Sequence, residues 1–331
     1  MSEPMTESPV TASPNTQPPD TQPPNTQSPI THLRHVGLAM PDYQESVEFY
    51  EKIWGLVPVA NDSDITFFGT PAHPEQYILR VRRAAEKRLD LLSFAVETES
   101  DVDAVTERMI AAGAQVNREP DKLATPGAGY GMRFFDPDGR LIEVSAGVAE
   151  RPYRPLEPRE SIPQKLSHVV VNATDVLATK KFYETLLGFK LSDWLEDQMC
   201  FLRTRVDHHI LAIAHGPHTS LNHVSFEMRG IDEYMRGTGR MKRSGRPPIW
   251  GPGRHGAGDN TFSYFLDPNG NIVEYTTELE RIEDEAAWEP RVWAATPDEA
   301  DQWGTSNPIT EQMIPAMFND PDHGVWAGAP I

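Results

Sequence analysis

The chain has 331 residues and a formal net charge of −19, which argues against a nucleic-acid partner gripped through a basic face. Its one cysteine, Cys200, cannot form an internal disulfide, which suits a reducing compartment. The sequence has neither an apolar run of bilayer length nor a basic-then-apolar secretory start, so the expectation is a cytoplasmic protein of about two domains.

Residues 1–31 are mostly Pro, Thr, Ser, Gln and Asn. So few apolar side chains cannot offset ordering entropy, and a disordered tail with polyproline II character is expected. From His32 the pattern becomes βαβββ. His32 to Met40 alternates as a strand, and Asp42 stands as helix cap with Glu45 in capping-box position. Val47, Tyr50 and Ile53/Trp54 carry the helical period, and Gly55 supplies a left-handed end. Strand-like runs follow near 57–60, 64–70 and 76–82. A second such unit starts at Leu89, with a helix near 100–113 and strands near 115–118, 130–136 and 140–145.

A Pro- and charge-rich linker spans 149–164, and the two units then recur from Leu166 and Ser220. Arg34-His35-Val36-Gly37…Phe49-Tyr50-Glu51…Gly55 returns 133 positions later as Ser167-His168-Val169-Val170…Phe182-Tyr183-Glu184…Gly188. Phe134 to Glu143, with Asp136-Pro137-Asp138-Gly139, returns at an offset of 131 as Phe265 to Glu274, with Asp267-Pro268-Asn269-Gly270. Repeated supersecondary units stack and share a core. The expected fold is therefore α+β, with four βαβββ modules paired into two barrel-like domains over 32–148 and 165–280. The tail, 281–331, holds Trp288, Trp293, Trp303, Met313, Met317, Phe318 and Trp326, too many large apolar groups for a disordered end. It is expected to pack on the second domain or on a neighbouring subunit.

The copies differ in chemistry. Between His and Glu the second copy has His223, where the first is read as having Ser93. Strand alternation puts His168, Val170 and Asn172 on one face, Leu221, His223 and Ser225 on one face, and Ile272 with Glu274. Two imidazoles and a carboxylate suit a mononuclear divalent metal with open positions, Fe(II) first and Mn(II) as the alternative. A lone strand histidine is more often a hydrogen-bonded bystander; the coincidence of three groups favours a metal centre. His209 in Asp207-His208-His209, His255 in Gly251-Pro252-Gly253-Arg254-His255-Gly256, and Tyr264 in Thr261-Phe262-Ser263-Tyr264 add acid–base capacity. On residue type alone, Tyr264 is equally a core aromatic and His208 a surface residue.

Taken together, these residues resemble the vicinal oxygen chelate superfamily, and within it the two-domain (type I) extradiol ring-cleaving dioxygenases, over about residues 32–280. The resemblance implies a glyoxalase/bleomycin resistance/dioxygenase fold, with His168, His223 and Glu274 as iron ligands. It implies His209 as the active-site base, and His255 and Tyr264 as hydrogen-bond donors to the substrate oxygen. The implied reaction is cleavage of a catechol by O2 to a ring-opened muconic semialdehyde-type product, in a homo-oligomer, plausibly a tetramer. Trp250, and a tail segment Ala300 to Gly304 without a cation, suggest a neutral or aryl- or alkyl-substituted catechol, although Arg243 and Arg246 are near in sequence. The first domain resembles the same unit with its site lost. Two rival readings remain: a metal-dependent isomerase or lyase of glyoxalase type, and a non-catalytic small-molecule binding protein.

Overall fold

The computed structural model describes residues 28–309 and 313–330. Most of the segment read as a disordered tail therefore lies outside the described residues. Its last four residues are structured: Ser28 is buried with its Oγ donating to the Leu187 carbonyl at 2.7 Å, and β1 already begins at Ile30.

The first domain comprises β1 (Ile30–Met40), α1 (Tyr43–Glu48), β2 (Val57–Asp62), β3 (Ile65–Gly69), β4 (Leu79–Arg83), β5 (Arg88–Val96), α2 (Glu99–Ala111), β6 (Val116–Lys122), β7 (Tyr130–Phe135) and β8 (Leu141–Ala146). Its eight strands form one sheet in the order β2-β3-β4-β1-β5-β8-β7-β6, so the two βαβββ modules join where β1 pairs antiparallel with β5. The second domain repeats the plan with β9 (Lys165–Ala173), α3 (Val176–Leu187), β10 (Lys190–Leu195), β11 (Met199–Arg203), β12 (Leu211–His215), β13 (Ser220–Glu227), α4 (Ile231–Arg243), β14 (Trp250–Arg254), β15 (Thr261–Leu266) and β16 (Ile272–Thr277). A short tail strand, β17 (Arg291–Trp293), extends this sheet beside β10. Among the described residues no helix is long and apolar enough to cross a membrane.

The first helix departs from the sequence reading. Asp42 makes no side-chain cap; its N–H instead donates to Oδ1 of Asn269 in the second domain at 2.9 Å. After Glu48 the helix widens into a π turn, Phe49–Trp54, closed by the Gly55 N–H on the Tyr50 carbonyl. The capping box forms at α2, where Thr98 and Asp101 satisfy each other's N–H groups.

One apolar core runs through both domains, and their helices meet within it, α2 on α3 and the π turn on α4. Trp54 is fully buried, stacked on Tyr275 at 3.8 Å and edge-on to Phe226 and Phe265. Truncating such a residue to Ala typically costs about 3–5 kcal/mol. The repeated Phe-Tyr-Glu and Asp-Pro motifs meet here as well. The Tyr50 hydroxyl donates to Asp267 at 3.1 Å, and the Tyr183 hydroxyl to Asp136 at 3.2 Å, so each copy's tyrosine bonds the other copy's turn. Both hydroxyls are fully buried, so each bond satisfies groups that would otherwise be stranded away from water.

Candidate metal centre

His168, His223 and Glu274 come from adjacent strands of the second sheet. In β9, Val169, Val171 and Ala173 enter the core, which turns His168, Val170 and Asn172 to the opposite face. In β13 the expected alternation breaks. The register shifts between Leu221 and His223, so Asn222 is a bulge residue and Leu221 joins Val224 and Phe226 in the core. His223 and Ser225 are left on the site face. Ser225 then pairs with His168 on one side and Glu274 on the other, setting the three candidates around one small side chain.

The ligand atoms of the three lie within 4.8 Å of one another, and all three side chains are buried. His168 Nε2 is 3.1 Å and His223 Nε2 3.6 Å from Oε2 of Glu274. Both oxygens of Glu274 and Nε2 of His223 lack a hydrogen-bond partner. Buried polar atoms left unpaired are costly, and here they point at a common position. A divalent cation accounts for them, so the donor set fits Fe(II) or Mn(II). Burial alone would raise the Glu274 carboxyl; the imidazoles of His168 and His223 outweigh it and hold it below the usual carboxylate range. Ser167 Oγ contacts Nδ1 of His168 at 3.1 Å and Asn222 Oδ1 contacts Nδ1 of His223 at 2.8 Å, leaving both Nε2 atoms for the metal.

The other expected residues gather around this point. The His209 ring lies 4.3 Å from that of His168, and the Tyr264 ring 5.0 Å from that of His223. Burial, reinforced by His168 and His208, keeps His209 well below the ordinary imidazole value, so it is neutral near pH 7. His208, read as a surface residue, is instead fully buried, because Asp193 gives it a partner at 3.1 Å. With Asp193 accepting its Nε2–H, His208 presents Nδ1 to the Nδ1–H of His209 at 3.0 Å. That leaves the Nε2 lone pair of His209 free. Asp193 is in turn held by the Trp293 indole at 2.7 Å and the Arg291 N–H at 2.8 Å.

On the far side, His255 Nδ1–H donates to the Ala300 carbonyl at 2.9 Å, so its Nε2 accepts the Tyr264 hydroxyl at 3.0 Å. Burial raises Tyr264 well above the usual phenol value and lowers His255, which keeps the hydroxyl proton on Tyr264. Trp250 stacks on Tyr264 with 10° between planes, and Phe262 stacks on His255 at 4.0 Å. A Cβ on Gly253 would come within 2.5 Å of Phe262, so this wall requires glycine there. Beyond a short helix α5 (Pro297–Ala300), the tail contributes Met313 and Met317 of α6 (Met313–Phe318), packed against the cluster of Trp250, Phe262 and Tyr264. Across the site, Val170, Phe201, Ala212 and Ala257 form a second apolar wall with Trp293. Arg254 is committed to Asp259 and Glu278, and Arg246 lies over the Phe49 ring at 5.2 Å.

The strand register also corrects the matching of the two copies. His35 pairs with Ser93, and Ser93 with Glu143, as His168 pairs with Ser225 and Ser225 with Glu274. Ser93 is therefore the counterpart of Ser225, and Leu91, paired with Gly37, is that of His223, paired with Val170. Both copies carry the same bulge, at Asp90 and at Asn222, so Leu89 to Phe94 align without a gap on Leu221 to Phe226.

The sequence profile of the Glyoxalase/Bleomycin resistance protein/Dioxygenase superfamily matches residues 32–144 and again 165–275. Metapyrocatechase 2 of Cupriavidus necator is 29% identical over 294 residues, covering 83% of this chain and 89% of that protein. The manganese-dependent 2,3-dihydroxybiphenyl 1,2-dioxygenase of Geobacillus genomosp. 3 is 24% identical, covering 80% and 90%. Among solved structures, the Mn(II)-bound glyoxalase from Novosphingobium aromaticivorans superposes with a TM-score of 0.87 at 43% identity, covering 91% of this chain and 99% of that one. With both repeats matched and shared core, turns and site face in place, the chain belongs to the glyoxalase/bleomycin resistance protein/dioxygenase superfamily.

Proposed function

We propose that the protein is an extradiol dioxygenase that opens a neutral, apolar-substituted catechol with O2, using a divalent metal on His168, His223 and Glu274. The observation that carries this reading is the Asp193–His208–His209 chain, which leaves a neutral His209 Nε2 beside the donor triad. Bound there, Fe(II) or Mn(II) supplies charge that acidifies the catechol hydroxyls and a route for electrons from the ring to dioxygen.

The chain's own residues do the rest. The aromatic wall of Trp250, Phe262 and Tyr264 and the facing wall of Phe201 and Trp293 exclude water and hold the ring flat between them. His209 Nε2 takes a hydroxyl proton, and the positive charge it gains is stabilised through His208 by Asp193. Tyr264 can swing its O–H from His255 to the substrate oxygen; His255, anchored on Ala300, keeps the hydroxyl within reach. The proton on His209 is available for return when the O–O bond breaks. Both atoms of O2 enter a muconic semialdehyde-type product, so no external reductant is consumed. The apolar walls and the committed Arg254 and Arg246 support an uncharged substituent.

A glyoxalase-type isomerisation is the second reading, favoured by the name of the Novosphingobium protein. A complete donor set within one domain, with a base built beside it, supports ring cleavage over that reading. The test is anaerobic loading with Fe(II) or Mn(II), then oxygen uptake with 3- and 4-substituted catechols. One O2 consumed per catechol, with a yellow product, is expected. Isomerisation of a hemithioacetal without oxygen uptake would overturn the reading.

A further inference from the structure

We propose that Asn222 and Asn172 are positioning residues, through which two main-chain carbonyls of the C-terminal helix α6 set the tautomer of His223. This rests on the triad as a metal centre and not on the reaction it serves.

The direction of the chain of hydrogen bonds is fixed at its far end. Nδ2 of Asn172 faces the Met317 carbonyl at 2.9 Å and the Phe318 carbonyl at 3.1 Å, with Ser220 Oγ at 2.9 Å. Carbonyl oxygens only accept, and the last carbonyls of a helix have no partner within it. Asn172 must therefore present its amide N–H groups to α6 and its Oδ1 the other way. Oδ1 accepts Nδ2 of Asn222 at 3.0 Å, which turns Oδ1 of Asn222 toward His223 Nδ1 at 2.8 Å. That nitrogen must then carry the proton, and Nε2 keeps its lone pair for the metal. Flipping either amide would set oxygen against oxygen at one joint. All of Asn172, Ser220, Asn222 and His223 are buried, so water does not relax the constraint.

The first domain lacks this device. The counterparts of Asn222 and Asn172 by register are Asp90 and Ala39, and Asp90 is bound to Arg80, Arg82 and Arg88. The amide chain exists only in the copy that keeps the histidine. It also exists only because the β13 bulge turns Asn222 off the core side of its strand.

Nitrogen-15 NMR of the metal-free, histidine-labelled protein reads the tautomer directly, with the His223 signal assigned by its loss in His223→Gln. The expected result is His223 as the Nδ1–H tautomer, the minor form of a free histidine side chain. Asn222→Leu should lose that preference and lower Mn(II) affinity about 10–100-fold in chelator competition. Asn222→Asp keeps an acceptor for Nδ1–H but sets an oxygen against Asn172 Oδ1; it should keep His223 as the Nδ1–H tautomer, and an Nε2–H tautomer in this variant would overturn the proposal. Asn172→Leu should lower affinity about tenfold. An Nε2–H tautomer in the wild-type protein would overturn the proposal, as would a folded Asn222→Leu variant with wild-type affinity. If the Leu variant fails to fold, the wild-type spectrum and the Asp variant still decide.

Discussion

The two copies of one fold treat the same site face in opposite ways. In the second domain, His223 and Glu274 leave buried polar atoms unpaired beside His168, with the ligand atoms of all three close together. In the first, Arg133 occupies the register position of Tyr264 and forms an ion pair with Glu143 at 2.8 Å, while Ser93 Oγ donates to the same carboxylate at 2.9 Å. Tyr77 stands beside His35 at 4.4 Å, as His209 stands beside His168 at 4.3 Å. Arg80, fully buried, stands at the register position that Ala212 holds in the second domain. A fixed guanidinium thus provides in one domain the positive charge that a divalent ion would provide in the other. Losing a metal site is therefore more than losing a ligand: the stranded carboxylate must be given a new counter-charge.

Four outcomes test that contrast. Glu274→Ala should abolish metal binding and turnover, whereas Glu143→Ala should leave one metal ion per chain; metal analysis of both variants decides. A second equivalent in the wild-type protein would break the comparison. His209→Ala should retain metal but lose about 10²–10⁴ in kcat, read by oxygen uptake, while Tyr77→Phe in the first domain should leave kcat unchanged. Arg133→Met would leave Glu143 buried without its counter-charge and should destabilise the protein by about 3–5 kcal/mol in denaturant titration. The smallest effect concerns His35. Burial, with Arg80, Arg34 and Arg133 adding to it, holds this imidazole well below 6.5. The unfolded chain therefore takes up the proton first, and stability present above pH 6.5 is lost as pH falls below it. His35→Gln should flatten the dependence of Tm on pH in that range.

Much of this was legible in the sequence. The duplication, the two domains and the two-histidine, one-carboxylate set follow from motif spacing and residue type. Alternation placed His168 and Glu274 on their faces because β9 from His168 to Asn172 and β16 skip no residue. It misread Leu221, because a bulge adds a residue without any sequence mark that a period of two can detect, and the pairing of His223 with Ser93 was two residues out of the register that an offset of 132 gives. Asp193 went unnoticed and His208 was read as a surface residue for a related reason: they lie far apart in sequence, and nothing local announces the contact. The expected capping box at Asp42 does not form, and the N–H that Glu45 would have accepted goes to Asn269, more than two hundred residues away. Asn222 looked unremarkable in the sequence, since its importance lies in which way two buried amides face.

The crossed tyrosine bonds, Tyr50 to Asp267 and Tyr183 to Asp136, carry a consequence for how this molecule can change over generations. Neither half possesses a complete set of partners for its own repeated turn, so the first half cannot be discarded. Damage there would surface as reduced heat tolerance of the working half, with its reaction unaltered until the whole chain melts.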